Sequence, residues 1–216
     1  MYNGRVTVGG PADVHDLGRL IISKVAVGPY DNNAYLLRCR DTGAQVLVDA
    51  AAEPGRLMDL IGPEGISLIV TTHRHRDHWQ ALQEVKDLTG APTAAHVDDM
   101  AGIEVPTDVV IRDGESIAVG DCRLEAIHLV GHTPGSIALL YDDPDGPPHL
   151  ITGDCLFPGG VGKTNDPEAF DSLYGDVVTR LFDRLPDETW VYPGHGNDTT
   201  IGAERPHLEE WRERGW

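Results

Sequence analysis

Ile66-Ser-Leu-Ile-Val-Thr-Thr-His-Arg-His-Arg-Asp-His78 decides the reading of this chain. Its first half, Ile66 to Thr72, is a short apolar and β-branched run of the kind that fills a strand covered on both faces. Its second half gathers four metal-ligating side chains, His73, His75, Asp77 and His78, at the exit of that strand. In extended chain, His73, His75 and Asp77 point to one side, because side chains alternate with a period of two. A turn beginning at Asp77 swings His78 onto a neighbouring position. The cluster then offers two imidazoles to one ion and a carboxylate plus an imidazole to a second.

Working outward, three more candidate ligands stand at strand exits. They are His132 in Gly131-His-Thr-Pro-Gly135, Asp154 in Thr152-Gly-Asp154, and His195 in Pro193-Gly-His-Gly196. Each is flanked by glycine, which lets backbone come close to a metal without a clash. One histidine in a loop is ordinarily just solvated. Two ions, however, need more ligands than residues 73–78 can supply, and these three complete the set. His15, His96, His128, His149 and His207 lack such a context and read as packing or surface residues.

The rest of the chain alternates strands and helices. Leu20–Val27, Asn33–Arg38 and Gln45–Asp49 read as strands, with Asp41-Thr-Gly43 a hairpin turn between the last two. Pro54–Ile61 reads as a helix ended by Gly62-Pro63. Trp79, Leu82, Val85 and Leu88 fall on one helical face that stops at Gly90. Further strands are expected at Ser116–Val119, Arg123–Val130, Ser136–Tyr141, His149–Thr152 and Thr189–Tyr192. Asp166 as N-cap and Pro167 in the first turn open a helix whose apolar spacing runs from Phe170 to Leu185, where Pro186 ends it. A helical turn or two is expected after Thr200. Strands before and after, with few helices between, predict an α/β chain of two sheets faced by helices, a single domain over residues 1–216.

Composition bounds the function. The 216 residues carry 17 basic and 35 acidic side chains, a formal net charge of −18, which repels nucleic acid and anionic membranes. Cys39, Cys122 and Cys155 are sparse, odd in number and without a CxxC, so reduced thiols in a cytoplasm are expected. Met1–Gly10 lacks the apolar core of a signal peptide, and no apolar run approaches a membrane span.

The succession Thr72-His-x-His-x-Asp-His78, Gly131-His-Thr-Pro-Gly-Ser136, Gly153-Asp154 and Pro193-Gly-His-Gly196 resembles the metallo-β-lactamase superfamily. The likeness runs from Asp31-Asn-Asn-Ala-Tyr35 and Val46-Leu-Val-Asp49 to Thr199–Pro206. It is most similar to the glyoxalase II group of hydroxyacyl-thiol hydrolases. The resemblance implies an αββα sandwich of two mixed β-sheets flanked by helices. It implies His73, His75 and His132 on a first metal, Asp77, His78 and His195 on a second, and Asp154 bridging both. It makes Asp49 a supporting residue and Lys163, after Gly153-Asp-Cys-Leu-Phe157, the grip on the substrate's thiol carrier. Two features depart from the glutathione-specific pattern. No counterpart of that group's C-terminal helical domain is expected in this chain, and Asn165 and Asn197 stand where carrier-binding tyrosines are expected. Arg74 and Arg76, between the ligands, read as outward charge or as an attraction for an anionic substrate.

The chemistry expected is hydrolytic. Two divalent ions, zinc first and iron or manganese as alternatives, lower the pKa of a shared water from about 15.7 to about 7 and polarise an acyl carbonyl. Asp77 orients the attacking hydroxide. The substrate is a small acyl-thiol. An iron-dependent persulfide dioxygenase and a lactonase or other small-ester hydrolase are the competing readings. The dioxygenase group tends to carry Arg where this chain has Lys163. A β-lactamase fits less well, because the bridging Asp154 belongs to the other hydrolase branches. A purely structural metal module is disfavoured, since structural sites are usually closed by four ligands.

Overall fold

The computed structural model describes residues 2–215. Among the described residues, fifteen strands and five α-helices form two large sheets, a small hairpin and two helical layers. The first sheet takes β1 (Asp13–Asp16), β2 (Leu20–Val27), β3 (Asn32–Cys39), β4 (Gln45–Val48), β5 (Leu68–Val70), β6 (Thr93–His96) and β7 (Val109–Ile111) in that order. Strands β1–β4 are antiparallel meanders, and β4–β7 are parallel. The parallel part needs crossovers, two of which contain α1 (Pro54–Ile61) and α2 (Leu82–Thr89).

The second sheet takes β8 (Ser116–Val119), β9 (Cys122–His128), β10 (Ile137–Tyr141) and β11 (His149–Gly153) as antiparallel neighbours. Leu156–Phe157 (β12) and Gly160–Val161 (β13) form the small hairpin. After α3 (Pro167–Val177), β14 (Trp190–Pro193) returns parallel to β11, and β15 (Thr199–Thr200) closes the edge. Ile201–Glu204 (α4), a 3₁₀ turn at Arg205–His207, and Leu208–Arg214 (α5) finish the chain.

The period of two sorts each strand's side chains between layers. Tyr35, Leu37, Val46 and Val48 face the second sheet's Leu124, Leu139, Tyr141 and Ile151. Their neighbours Leu36 and Leu47 turn outward to Leu57, Ile61, Leu82 and Val85 of α1 and α2. On the far side, Leu140, Leu150 and Val191 pack under Phe170, Leu173 and Val177 of α3 and Trp211 of α5. These layers are the expected αββα sandwich.

Several expectations are corrected. The strand predicted over Ile66–Thr72 is hydrogen-bonded as strand only at Leu68–Val70, so residues 73–77 are not extended chain with alternating sides. From Thr72 onward the backbone bonds to side chains instead: Thr72 N donates to Asp49 Oδ1 and Arg74 N to Asp99 Oδ2, each at 2.8 Å. Arg76–His78 then closes a 3₁₀ turn. Leu88 is 58% exposed and does not share the buried face of α2, whereas Trp79, one turn before the helix, is buried. Asp166 caps α3 as expected, its carboxylate accepting from Ala169 N at 2.8 Å. The helical path then widens into a π-type turn over Val178–Phe182. β1, β6, β7, the β12–β13 hairpin and β15 were not expected. Among the described residues, no helix is long and apolar enough to cross a membrane.

Candidate metal centre

The candidate residues stand where strands end. Asp49 follows β4, His73 follows β5, Asp154 follows β11 and His195 follows β14, each at the carboxyl end of a parallel-paired strand. His132 comes from the β9–β10 connection. Open α/β sheets place their sites at such ends, because the backbone is released there from the ladder and can turn. Asp49 shows the local cause: its φ of 59° breaks the strand and folds its carboxylate back towards Thr72 and His78. Asp accepts that left-handed backbone more readily than most residues.

All seven residues converge. His132 Nε2 lies 3.2 Å from His73 Nε2 and 2.8 Å from His75 Nδ1, which makes the first trio. His195 Nε2 lies 3.2 Å from His78 Nε2 and 3.4 Å from Asp77 Oδ2, which makes the second. Asp154 sits between them. Its Oδ1 is 3.3 Å from His78 Nε2, and its Oδ2 is 3.4 Å from His195 Nε2 and 3.6 Å from His132 Nε2.

The outer nitrogens are already committed. His78 Nδ1 donates to Asp49 Oδ2 at 2.8 Å, His132 Nδ1 to the Lys163 carbonyl at 2.7 Å, and His195 Nδ1 to the Tyr30 carbonyl at 2.8 Å. Each bond fixes its ring and leaves the Nε2 lone pair facing the interior, as metal-ligating histidines require. Donor atoms about 2.0–2.1 Å from a tetrahedral ion stand about 3.3–3.4 Å apart, close to the separations found here. Asp154 Oδ1 is buried with no hydrogen-bond donor, an acceptor left for a cation. The residues therefore fit two metal ions.

Electrostatics agree. Burial, with the neighbouring His78 charge, holds His73 well below the usual imidazole range, and burial lowers His75 and His132 as well. Burial also opposes charge on His78, yet Asp154 and Asp49 raise it well above normal. At His195, burial is outweighed by Asp154 and Asp77, which raise it to about 10. Hydrogen bonding from His195 holds Asp77 far below the carboxylate range; burial works against Asp154, but His78 and His195 hold it low too. The carboxylates that raise His78 and His195 give the cluster a negative potential that would equally draw a cation.

Asp49 is joined to His78. Lys163 is exposed, and it is its carbonyl, rather than its ammonium, that touches the cluster. A cavity of about 410 Å³ opens beside the first trio, with His75, His132, Arg74 and Glu168 on its wall. Lys163 lines a second cavity of about 410 Å³, and the two share Asn165 and Asp166. Arg74 reaches towards Asp99 at 3.8 Å, and Arg76 pairs with Glu104 at the surface.

Sequence reasoning missed three residues. Asn32 Nδ2 donates to Asp77 Oδ2 at 2.9 Å; the quoted Asp31–Tyr35 segment was its signal. Thr72 Oγ1 donates to Asp49 at 2.8 Å and stands 3.1 Å from His73 Nδ1. Asp99 lies in no motif, yet its buried carboxylate accepts from Arg74 N, Thr133 Oγ1 and Gly135 N at 2.8, 2.5 and 2.9 Å. It thereby fastens the loop of His73 and His75 to the loop of His132. A further gathering of ligand types, His96, Asp98 and His128, is packing: the rings stack at 3.9 Å with 26° between planes, so their in-plane lone pairs run alongside instead of converging. His128 also donates its Nε2 proton to the Pro134 carbonyl at 2.7 Å.

Known proteins are similar to this chain. The chain is 31% identical over 207 residues to a probable metallo-hydrolase, YqgX, of Bacillus subtilis, covering 84% of this chain and 93% of that one. It is 32% identical over 179 residues to a hydroxyacylglutathione hydrolase of Polaromonas sp., covering 82% of this chain and 66% of that enzyme. The crystal structure of TTHA1623 in a di-iron-bound form superimposes with a TM-score of 0.70 at 32% identity, covering 84% of this chain and 96% of that one. The family model of the metallo-beta-lactamase superfamily matches residues 27–195, from the end of β2 to the last candidate ligand, and the chain belongs to that superfamily as a metallo-hydrolase.

Proposed function

We propose that this chain is a dinuclear metal-dependent thioester hydrolase that cleaves a hydroxyacyl-thiol of the glyoxalase II type. One observation carries the reading: two complete ligand trios share Asp154, whose buried Oδ1 has no donor. His73, His75 and His132 would hold one ion, Asp77, His78 and His195 the other, and Asp154 both. When bound, the ions supply a water of lowered pKa and a Lewis acid for the acyl carbonyl. Zinc suits the donor set, and the di-iron form of a relative at 32% identity makes iron the first alternative.

The chain's own residues do the rest. Asp77, at 26% side-chain exposure against 12% for Asp154, is the carboxylate open to solvent, and Asn32 holds its Oδ2. It would orient the attacking water. Asp49 keeps His78 in one tautomer, and the Lys163 carbonyl does the same for His132. No strong general acid is needed for a thiolate leaving group, whose conjugate thiol has a pKa of about 8.5. The cavity beside His75 and His132 takes the small acyl-thiol, and the Lys163 ammonium, across the shared wall of Asn165 and Asp166, meets the carrier. The three cysteines are free and buried, which suits a reducing cytoplasm.

The test is metal analysis of the purified protein together with a screen of thioesters, lactones and persulfides. Two ions per chain and a preference for thioesters are expected. One ion, with oxygen consumed on a persulfide, would overturn the reading.

A further inference from the structure

Lys24 occupies the middle of β2 with its side chain fully buried. Its ammonium has three protons and three acceptors: the Gly4 carbonyl at 2.9 Å, the Gly196 carbonyl at 2.8 Å and Asp198 Oδ1 at 2.5 Å. Asp198 is as buried as its partner, and its Oδ2 accepts from Tyr2 Oη at 2.5 Å and Trp190 Nε1 at 2.9 Å. Backbone at residue 4 has φ 71°, and a Cβ there would meet Asp198 Cβ at 2.6 Å, so only glycine lets the N-terminal segment close over the pair. A buried ion pair is a poor way to stabilise a fold, because hydrophobic residues of similar volume often serve as well or better. What this pair does possess is a position: Gly196 and Asp198 follow His195, on the exit of its loop.

That loop belongs to the second sheet, while its fastenings come from the first. Asn33 Nδ2 donates to the Pro193 and Gly196 carbonyls, both at 2.9 Å, and Tyr35 Oη to the Pro193 carbonyl at 2.6 Å. Asn33 N donates to the Gly194 carbonyl at 2.7 Å. These bonds hold the loop's entry and, through the Gly196 carbonyl, reach its exit. Lys24 ties that exit, residues 196 and 198, to β2. The first trio depends on none of this, being tied together through Asp99 and the Lys163 carbonyl.

We propose that the Lys24–Asp198 pair positions His195 and thereby sets the affinity of the second metal site (Asp77, His78, His195) without setting that of the first. This rests on the dinuclear reading above. Lys24 touches no substrate and no reacting atom; it acts through His195 as a positioning residue.

The experiment compares the full chain with Lys24→Met and Lys24→Met/Asp198→Asn. Each metal-loaded protein is stripped and reloaded in chelator-buffered zinc, and the two binding steps are read separately alongside the melting temperature. The single variant leaves Asp198 buried and unpaired and is expected to melt earlier. The double variant removes both charges and is expected to regain much of that melting temperature. In both, one zinc step alone should lose about tenfold or more in affinity, the usual loss when a ligand's support is removed, while the other stays unchanged. Where the single variant does not fold, the double variant decides. Wild-type affinity at both steps in the double variant overturns the proposal, as does an equal loss at both steps. A double variant that cannot fold overturns it too, because the pair would then serve the whole fold. Wild-type protein that takes up only one ion sinks the dinuclear reading and this proposal together, a result distinct from the others.

Discussion

Asp99→Asn is the substitution whose consequence the structure fixes most closely. The carboxylate is buried and serves two loops: Oδ2 accepts from Arg74 N and Thr133 Oγ1, and Oδ1 accepts from Gly135 N with the Arg74 guanidinium 3.8 Å away. An asparagine can place its oxygen on one side only. With the oxygen towards Arg74 N and Thr133, its amide protons confront the Gly135 N–H. That costs one charge-assisted bond and orphans a buried donor, about 1.5–3 kcal/mol. The two surviving bonds fall from charged to neutral acceptors and roughly halve in strength. Against this, a neutral side chain is cheaper to bury. The net is about 3 kcal/mol, which for a chain of this size lowers the melting temperature by roughly 6–12 °C. Because the two loops carry His73, His75 and His132, the first metal step should weaken along with the fold. Scanning calorimetry on metal-loaded protein and a buffered-zinc titration read both. A melting temperature within about 2 °C of wild type, with the first step intact, would refute the reasoning.

Three other outcomes follow from the same coordinates. A Cβ on residue 194 would fall on Asp154 Oδ1 and reach His78 Cε1 at 2.8 Å, so Gly194→Ala should leave less than half the bound metal by elemental analysis. Lys163→Ala should raise KM for a charged thiol-carrier substrate about fivefold, the worth of one exposed charge contact, while leaving a small uncharged ester unaffected; equal effects on both would remove Lys163 from the substrate site. Arg184 and Glu125 form two parallel bonds at 2.8 and 2.5 Å, and hydrogen bonding by Arg184 holds the Glu125 carboxyl below its usual range. A depressed carboxylate contributes stability above its unfolded pKa and loses it as pH falls through the folded value. Arg184→Gln should therefore cost about 0.5 kcal/mol at pH 7 for this half-exposed pair, and the difference should shrink in unfolding curves taken below the ordinary glutamate value of about 4.3.

Much of this molecule is legible in its sequence, and the places where it is not share a cause. Leu20–Val27, Pro54–Ile61 and Ser116–Val119 carry their period and their stop signals locally, and they form with the expected bounds. Thr93–His96 and Val109–Ile111 are short parallel strands whose partners lie a crossover away, so their own residues carry little strand signal. The extension predicted through Thr72 fails because pairing there is taken over by Asp49 and Asp99, residues 23 and 25 positions from the groups they bind. The site divides in the same way. His73, His75, Asp77 and His78 are conspicuous because one short stretch holds them, and His132, Asp154 and His195 because glycine surrounds each. Of the groups that aim those side chains, Asp49 and the Asp31–Tyr35 segment showed only through the resemblance, and the carbonyls of Tyr30 and Lys163 carry no mark at all. A carbonyl has no residue type, and a lone Asp or Lys in a strand or loop reads as surface charge until the fold buries it.

The ligand residues alone would accept zinc, iron or manganese, since all three take imidazole and carboxylate. What distinguishes one site from the other here is how each is held. The first trio is closed by a carboxylate, Asp99, that binds two loops from opposite sheets. The second is closed by a cation, Lys24, that draws the His195 loop across the sandwich. Each sheet contributes ligands to both trios' surroundings, and neither sheet can build a complete site by itself: His73, His75, Asp77 and His78 come from the first, His132, Asp154 and His195 from the second. The centre therefore exists only where the two sheets meet in register. Ile137 N donating to the Thr72 carbonyl at 3.0 Å and Gly194 accepting from Asn33 N at 2.7 Å are the main-chain bonds that set that register on either side of it.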